Sequence, residues 1–402
     1  MAEPDRSRAM AQDTVQRKMA AQEAESQEPL PGEIIAGEEE KLYLAPYWKL
    51  MWWRFRKHKM ALVSAAVLIL LYLIAAFCEF VAPYDPDQYF IKYKLAPPTR
   101  IHIRDAEGHF HLPFVYRIVR TKDPETLRDI YNEDTSTRYP IRLFVHGSEY
   151  KMWGLWKLDL HLFGLNVPHE EQGIFLLGAD RMGQDLFSRL CYGARISLSV
   201  GLVGVFLSMT LGIVLGGISG YYGGTVDTII QRVIEFVRTI PSIPLWMALS
   251  AALPRDWPIV RVYFGITVLL SLIGWTGMAR VVRGRFLALR EEDFILAARL
   301  AGSSEMRIIL RHMVPSFLSY VIASLTLAIP GMILGETGLS YLGLGLRAPA
   351  ISWGVLLREA QNLRSLVLAP WVLLPALAVV ISILAFNFVG DGLRDAADPY
   401  AR

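Results

Sequence analysis

The chain has 402 residues, 53% of them hydrophobic, with a mean hydropathy of +0.32. That is too apolar for an ordinary soluble protein, and the excess is gathered in blocks rather than spread evenly. A formal net charge of +3 says little by itself in such a chain; where the positive residues fall says more.

Met1–Lys41 is polar, rich in Glu, Gln and Ala, and reads as a mobile cytoplasmic tail. Leu42–Lys59 interleaves Tyr, Trp and Phe with Lys and Arg, which suits a helix lying at the headgroup level. The alternative for that stretch, a basic nucleic-acid patch, is disfavoured by the spanning segment next to it.

A helix needs roughly 20 mostly apolar residues to cross the hydrocarbon core. Six segments qualify: Met60–Phe80, Ile196–Gly220, Ile229–Leu253, Val262–Ala279, Phe317–Gly335 and Leu366–Gly390. Arg232, Glu235 and Arg238 interrupt the third, the weakest of them. Positive residues crowd the entrance to the first span (Arg54, Arg56, Lys57, Lys59) and the loop between the fourth and fifth (Arg280, Arg283, Arg285, Arg290, Arg299, Arg307, Arg311). Both regions are expected in the cytoplasm, which puts both termini there. The first span is followed by no small-residue cleavage site and reads as an anchor rather than a removed signal.

Pro83 to about Asp185 is expected outside the membrane. Its runs Phe114-Val-Tyr-Arg-Ile-Val and Ile141-Arg-Leu-Phe-Val, separated by turn formers, predict a small β-rich subdomain or a well-packed loop. It could meet an external partner or only cap the helices. His109-x-His111 comes nearest to a metal spacing and reads as a solvated strand or turn; no metal site is expected. Cys78 and Cys191 are read as lone, partly buried thiols, with a disulfide as the alternative.

In the second span Gly204, Ser208, Gly212, Gly216 and Gly220 recur every fourth residue, making one flat face for close helix packing. Pro241, Pro244, Pro330, Pro370 and Pro375, in or at the ends of spans, predict kinks. Glu235 and Arg238 have the i, i+3 spacing of a helix ion pair. Glu336 is the one carboxylate at the end of an apolar span; it is a candidate pathway or gate residue, or a structural contact near the outer interface.

The cytoplasmic loop 280–315 carries the most specific pattern. Phe294, Ile295, Ala297, Ala298, Leu300 and Ala301 predict a short helix with small residues at its centre. Gly302 can take the left-handed conformation that ends it. Ser303 or Ser304 can cap a second helix, with Glu305 near its positive end, and Pro315 is expected to stop that helix before the fifth span. By spacing alone this is either a rigid knuckle pushed by another protein or a plain connector.

The knuckle resembles the coupling motif of ABC-importer permeases, usually Glu-Ala-Ala, three residues, Gly, and later Ile-x-Leu-Pro or a close variant. Here Ala297-Ala298, Gly302, Ile309-Leu310 and Pro315 match, while Leu296 stands in the Glu position. Gly178–Leu198, Gly338-Leu-Ser-Tyr-Leu-Gly-Leu-Gly-Leu, Ser352-Trp-Gly and Asp391-Gly-Leu-Arg-Asp-Ala-Ala-Asp-Pro resemble the dipeptide/oligopeptide importer family. The match is to its C-type permease, over Gly178–Arg402, with Gln184 where Arg is usual.

The resemblance implies an all-α polytopic membrane helix bundle of about six transmembrane helices, a type I ABC importer permease, with an enlarged external loop or small β-rich subdomain. The implied organisation is 1–59 cytoplasmic tail and interfacial helix, 60–82 first transmembrane helix, 83–185 external segment, 195–391 permease domain and 392–402 cytoplasmic tail. The expected function is half of the translocation path of an ATP-driven importer in the cell inner membrane. No Gly-x-x-x-x-Gly-Lys-Ser/Thr loop is present, so no nucleotide site, cofactor or catalytic residue is expected on this chain. The implied partners are a B-type sister permease, two cytoplasmic ATP-binding subunits, an external substrate-binding protein and membrane lipid, but no nucleic acid. Phe294, Leu296, Ala297, Ala298, Gly302, Ile309 and Pro315 are the implied coupling residues.

Peptide is the default cargo, with oligosaccharides, opines and nickel chelates as alternatives. An ion-gradient-driven transporter would normally show internal repeats with broken helices, and none is found. An intramembrane enzyme would need catalytic Ser/His, paired Asp or a His-Glu-x-x-His within the spans, and no span holds a His.

Overall fold

A computed structural model describes residues 47–125, 129–167, 172–254 and 256–397; the polar tail expected at 1–41 lies outside them. Helix α1 (Tyr47–Lys57) carries Arg54, Arg56 and Lys57 in its last turn and ends at His58, whose Nδ1 accepts the Ala61 N–H at 3.1 Å. His58 thereby caps α2 (Lys59–Ala76), the first membrane-spanning helix. A short α3 (Cys78–Val81) follows.

Next comes an antiparallel sheet in the order β1 (His102–Arg104), β2 (Phe110–Lys122), β3 (Asp129–Met152) and β4 (Trp156–Leu165). The long β3 pairs with β2 through its first half, Phe114 opposite Pro140, and with β4 through its second, Ile141 opposite Leu165. The two β-branched and aromatic runs noted in the sequence lie in β2 and β3. Tyr84, Phe90, Tyr93, Val115, Tyr139 and Phe175 form a separate core beneath the sheet.

The remaining helices are α4 (Leu186–Tyr222), α5 (Gly224–Thr239), α6 (Ser242–Ala251), α7 (Ile259–Leu289), α8 (Asp293–Leu300), α9 (Glu305–Ile308), α10 (Leu318–Tyr341), α11 (Trp353–Leu357), α12 (Leu363–Leu368) and α13 (Leu374–Ala397). Five helices, α2, α4, α7, α10 and α13 with its preceding turn, are long and apolar enough to cross a membrane. The segment Ile229–Leu253 is not one straight span. It is α5 and α6, bent by 87° across a two-residue break that includes Pro241. Proline cannot donate its backbone hydrogen bond, and the charged, amphipathic α5 finds no apolar path straight across.

Helix α4 begins ten residues before the expected start at Ile196. Arg189 and Arg195, which argue against a span in sequence, are neutralised by Asp180 at 2.5 Å and Glu79 at 2.6 Å. Asp185 caps its first turn, accepting the Ser188 N–H at 2.8 Å. Glu235 pairs with Arg232 at 2.7 Å rather than with Arg238, the opposite i, i+3 neighbour. Cys78 and Cys191 are both buried and free.

Candidate functional site: a helical corner and its supports

Helix α8 ends in a complete left-handed cap. Gly302 has φ +75°, its N–H donates to Arg299 O at 2.9 Å, and the Ser303 N–H reaches back to Ala298 O at 3.1 Å. These two bonds satisfy carbonyls that a helix end otherwise leaves open, and they fix the angle of the next helix. Ser304 stands at the start of α9, without a side-chain capping bond. Glu305, in its first turn, accepts the Tyr222 hydroxyl at 3.0 Å, and the Arg299 guanidinium lies 5.4 Å from the Tyr221 ring centre. The corner is thus tied to the end of α4.

Ile295, Ile308 and Met313 are fully buried in the main core, while Phe294, Leu296, Ala297, Leu300, Met306 and Leu310 are exposed. Leu300 is the extreme case at 90% exposure. Of the predicted coupling residues, Phe294, Leu296, Ala297 and Gly302 therefore lie at the surface of one corner; Ala298 and Ile309 are half-buried at its root. Pro315 does not end the second helix. A π-turn at Ile309–Met313 precedes it, with the Val314 N–H donating to Ile309 O, and the chain continues helically to Ser316 before breaking at Phe317, φ −124°. The Pro315 ring crowds the Arg311 carbonyl four residues back, and the wider turn accommodates it, so the break moves two residues on.

A bidentate pair that sequence reasoning missed braces the same end of the bundle. Arg283 of α7 reaches both oxygens of Asp227 on α5 at 2.5 Å, and Ser219 of α4 donates to the same carboxylate. The loop's seven arginines gave no signal as to which would find an acid. The small-residue face of α4 lies against α7. A Cβ on Gly212 would sit 2.7 Å from Met278 Cβ, and one on Gly220 2.7 Å from Arg283 O. Ser271 of α7 donates to Gly204 O at 2.9 Å, and Ser208 sits against Gly274.

Glu336 is fully buried near the sheet end of α10. It accepts Ser197 Oγ at 3.0 Å and Ser340 Oγ at 2.8 Å. Ser197 Oγ also accepts the Trp353 N–H, and Ser340 Oγ the Leu346 N–H, so the carboxylate is the hub joining α4, α10 and α11. Nearer the middle of the bundle a cleft of about 360 Å³ opens between Trp246 of α6, Gly277 of α7 and Tyr320, Ser324 and Gly331 of α10. Among the described residues no group of three His, Cys, Asp or Glu is placed to hold a metal. His111 instead hydrogen-bonds Asp105 at 2.7 Å.

Two family profiles match the chain. One, described as the N-terminal TM domain of oligopeptide transport permease C, covers residues 46–98; the other, the binding-protein-dependent transport system inner membrane component, covers 212–402. The oligopeptide transport system permease protein OppC of Haemophilus influenzae is 39% identical over 58% of this chain and 72% of its own length. The glutathione transport system permease protein GsiD of Escherichia coli O157:H7 is 31% identical over 88% of this chain and 90% of its own. The dipeptide transport system permease protein DppC of Bacillus subtilis is 37% identical over 59% and 72%.

The chain belongs to the family of binding-protein-dependent transport system inner-membrane components, as a multi-pass ABC-transporter permease subunit rather than an enzyme. Permeases of this family work with separate ATPase and substrate-binding partners. The two profile matches leave out residues 99–211, the stretch that contains the sheet.

Proposed function

We propose that this chain is the C-type half of the membrane path of an ATP-driven importer for peptides or peptide-like solutes. It pairs with a B-type sister permease, two cytoplasmic ATP-binding subunits and an external substrate-binding protein. Both termini and the α8–α9 corner lie in the cytoplasm, with the sheet outside. The chain itself carries no cofactor.

One observation carries the reading: exposed apolar side chains on α8 and α9 stand on a corner whose underside is buried in the core. Apolar surface at a charged helix corner needs a protein partner to cover it, and Ile295, Ile308 and Met313 share one buried cluster with residues of α7 and α10, through which a push would pass. The cleft lined by Trp246, Gly277 and Gly331 serves in this reading as the chain's share of the path. The relatives named for oligopeptide, dipeptide and glutathione transport support a peptide cargo. Purification of the tagged chain in mild detergent tests the assembly. Recovery of a second permease with two P-loop ATPases is expected, and recovery of the chain alone would overturn the reading.

A further inference from the structure

We propose that the tip of the β3–β4 hairpin is a membrane anchor, inserted into the interfacial region of the leaflet on the sheet's side. The argument starts from α2. Its 18 residues span about 27 Å at ~1.5 Å per residue, close to the ~30 Å hydrocarbon thickness. With Arg56, Lys57 and Lys59 at one headgroup level, Ala76 falls at the opposite boundary. Trp153, at the hairpin tip, donates its indole N–H to that residue's carbonyl at 2.7 Å. The tip is therefore held at the depth where the bilayer begins.

Its surface continues the lipid-facing surface of the helix. Val63, Ala66, Leu70, Leu73 and Phe77 form an exposed stripe with the three- and four-residue spacing of one helix face. Phe77 then meets the Trp153 ring at 5.6 Å, and Trp153 meets Trp156 at 5.8 Å. Leu155, between them in sequence, is 72% exposed, and Phe144, beside Phe80, is exposed too. An unbroken apolar track thus runs from the span onto the sheet. Trp is the residue favoured at this level, with an apolar body and a polar N–H.

Two further observations point the same way. Trp153, in the turn, and Phe144, within β3, have φ of +50° and +56°, a region unfavourable for bulky residues, and both side chains are exposed despite that. Lys151 and Lys157 face each other as ladder partners, and both are exposed. Like charges directly opposite are disfavoured in water, and anionic headgroups would relieve them. Anchored this way, the sheet rides with α2 rather than swinging freely.

The test uses the assembled transporter in nanodiscs of phosphatidylethanolamine and phosphatidylglycerol. A nitroxide is placed at Leu155→Cys and, as reference, at Leu112→Cys, an exposed position on β2. Cys78 and Cys191 are buried, which directs labelling to the new thiol. Collisions with oxygen, which concentrates in the bilayer, should exceed those with a water-soluble nickel chelate at Leu155, with the order reversed at Leu112. Chelate-dominated collisions at Leu155 would overturn the anchor. Shielding from both reagents would overturn it as well, and would assign the patch to a protein partner. Should the labelled chain not assemble, quenching of tryptophan by lipids brominated near the ester level decides. The quenched fraction should fall in a Trp153→Phe/Trp156→Phe variant; an unchanged fraction would refute the proposal.

Discussion

Gly216 offers the sharpest test of how α4 and α7 are joined. A Cβ added there would lie 2.8 Å from Ala279 Cα and 3.0 Å from its carbonyl carbon. Both are backbone atoms and cannot rotate aside, so restoring ordinary carbon contacts of about 3.5–4.0 Å needs the helices to part by roughly 1 Å. Overpacking of this kind costs about 1–3 kcal/mol. Alanine also recovers up to ~1 kcal/mol of helix propensity over glycine, so the single variant's net loss is smaller. The clash is isolated by Gly284→Ala on α7, where a Cβ meets nothing within 4 Å and only the propensity gain applies. The two variants should therefore differ by about 1–3 kcal/mol. Unfolding of the purified complex in mixed micelles of rising SDS fraction, followed by circular dichroism, would measure the difference. Equal midpoints would refute close backbone approach as the basis of this interface.

Three other perturbations are informative. Gly302→Trp should abolish uptake while leaving the protein in the membrane, because φ +75° and an open surface put the indole between the corner and its partner; Gly302→Asn, which tolerates that conformation, should retain uptake, and equal uptake in both would contradict the coupling role. Arg195→Ala leaves the Glu79 carboxylate buried and removes donors from Ala75 O and Ala76 O. Arg195 is about one-third exposed, so the loss should be below the ~3–5 kcal/mol of a fully buried pair, read as a lower unfolding midpoint.

The third concerns pH. Burial of Asp105 pushes its carboxyl up, but hydrogen bonds from His111 and the His109 N–H outweigh this and hold it down at about 2. Arg138 adds an ion pair at 2.8 Å. A depressed folded value means the stabilisation is complete above the ordinary carboxyl value of 3.8 and is lost as pH falls towards 2. Hydrogen exchange of the β1–β2 amides should accelerate, relative to the intrinsic rate, across that window in the native chain. In Asp105→Asn the protection should show no such dependence, and an identical profile would contradict the assignment.

Five of the spans were legible because an 18- to 20-residue apolar run has one economical fate in a bilayer. Strand runs inside residues 83–185 were legible for a similar reason, since β-branched and aromatic alternation favours a pleated surface. The boundaries were less so. Arg189 and Arg195 look like the end of an apolar block until Asp180, from the loop just before the helix, and Glu79, distant in sequence, are brought beside them. Likewise Arg232 and Arg238 offer Glu235 equivalent spacings, and only side-chain geometry selects Arg232.

The candidate site divides along the same line. The sequence by itself determined the corner: Gly302 supplies a left-handed residue at low cost, and the small residues before it and the acid after it are local preferences that need no tertiary contact. It also determined that the chain is membrane-spanning, because hydrophobicity sums along the chain. Tertiary structure alone decided that Ile295 faces inward while Leu300 faces out, that a π-turn moves the break past Pro315, and that Glu336 is enclosed by Ser197 and Ser340. Those outcomes depend on which surfaces meet across long sequence separations, and a single chain read in order carries propensities for such meetings but not their partners.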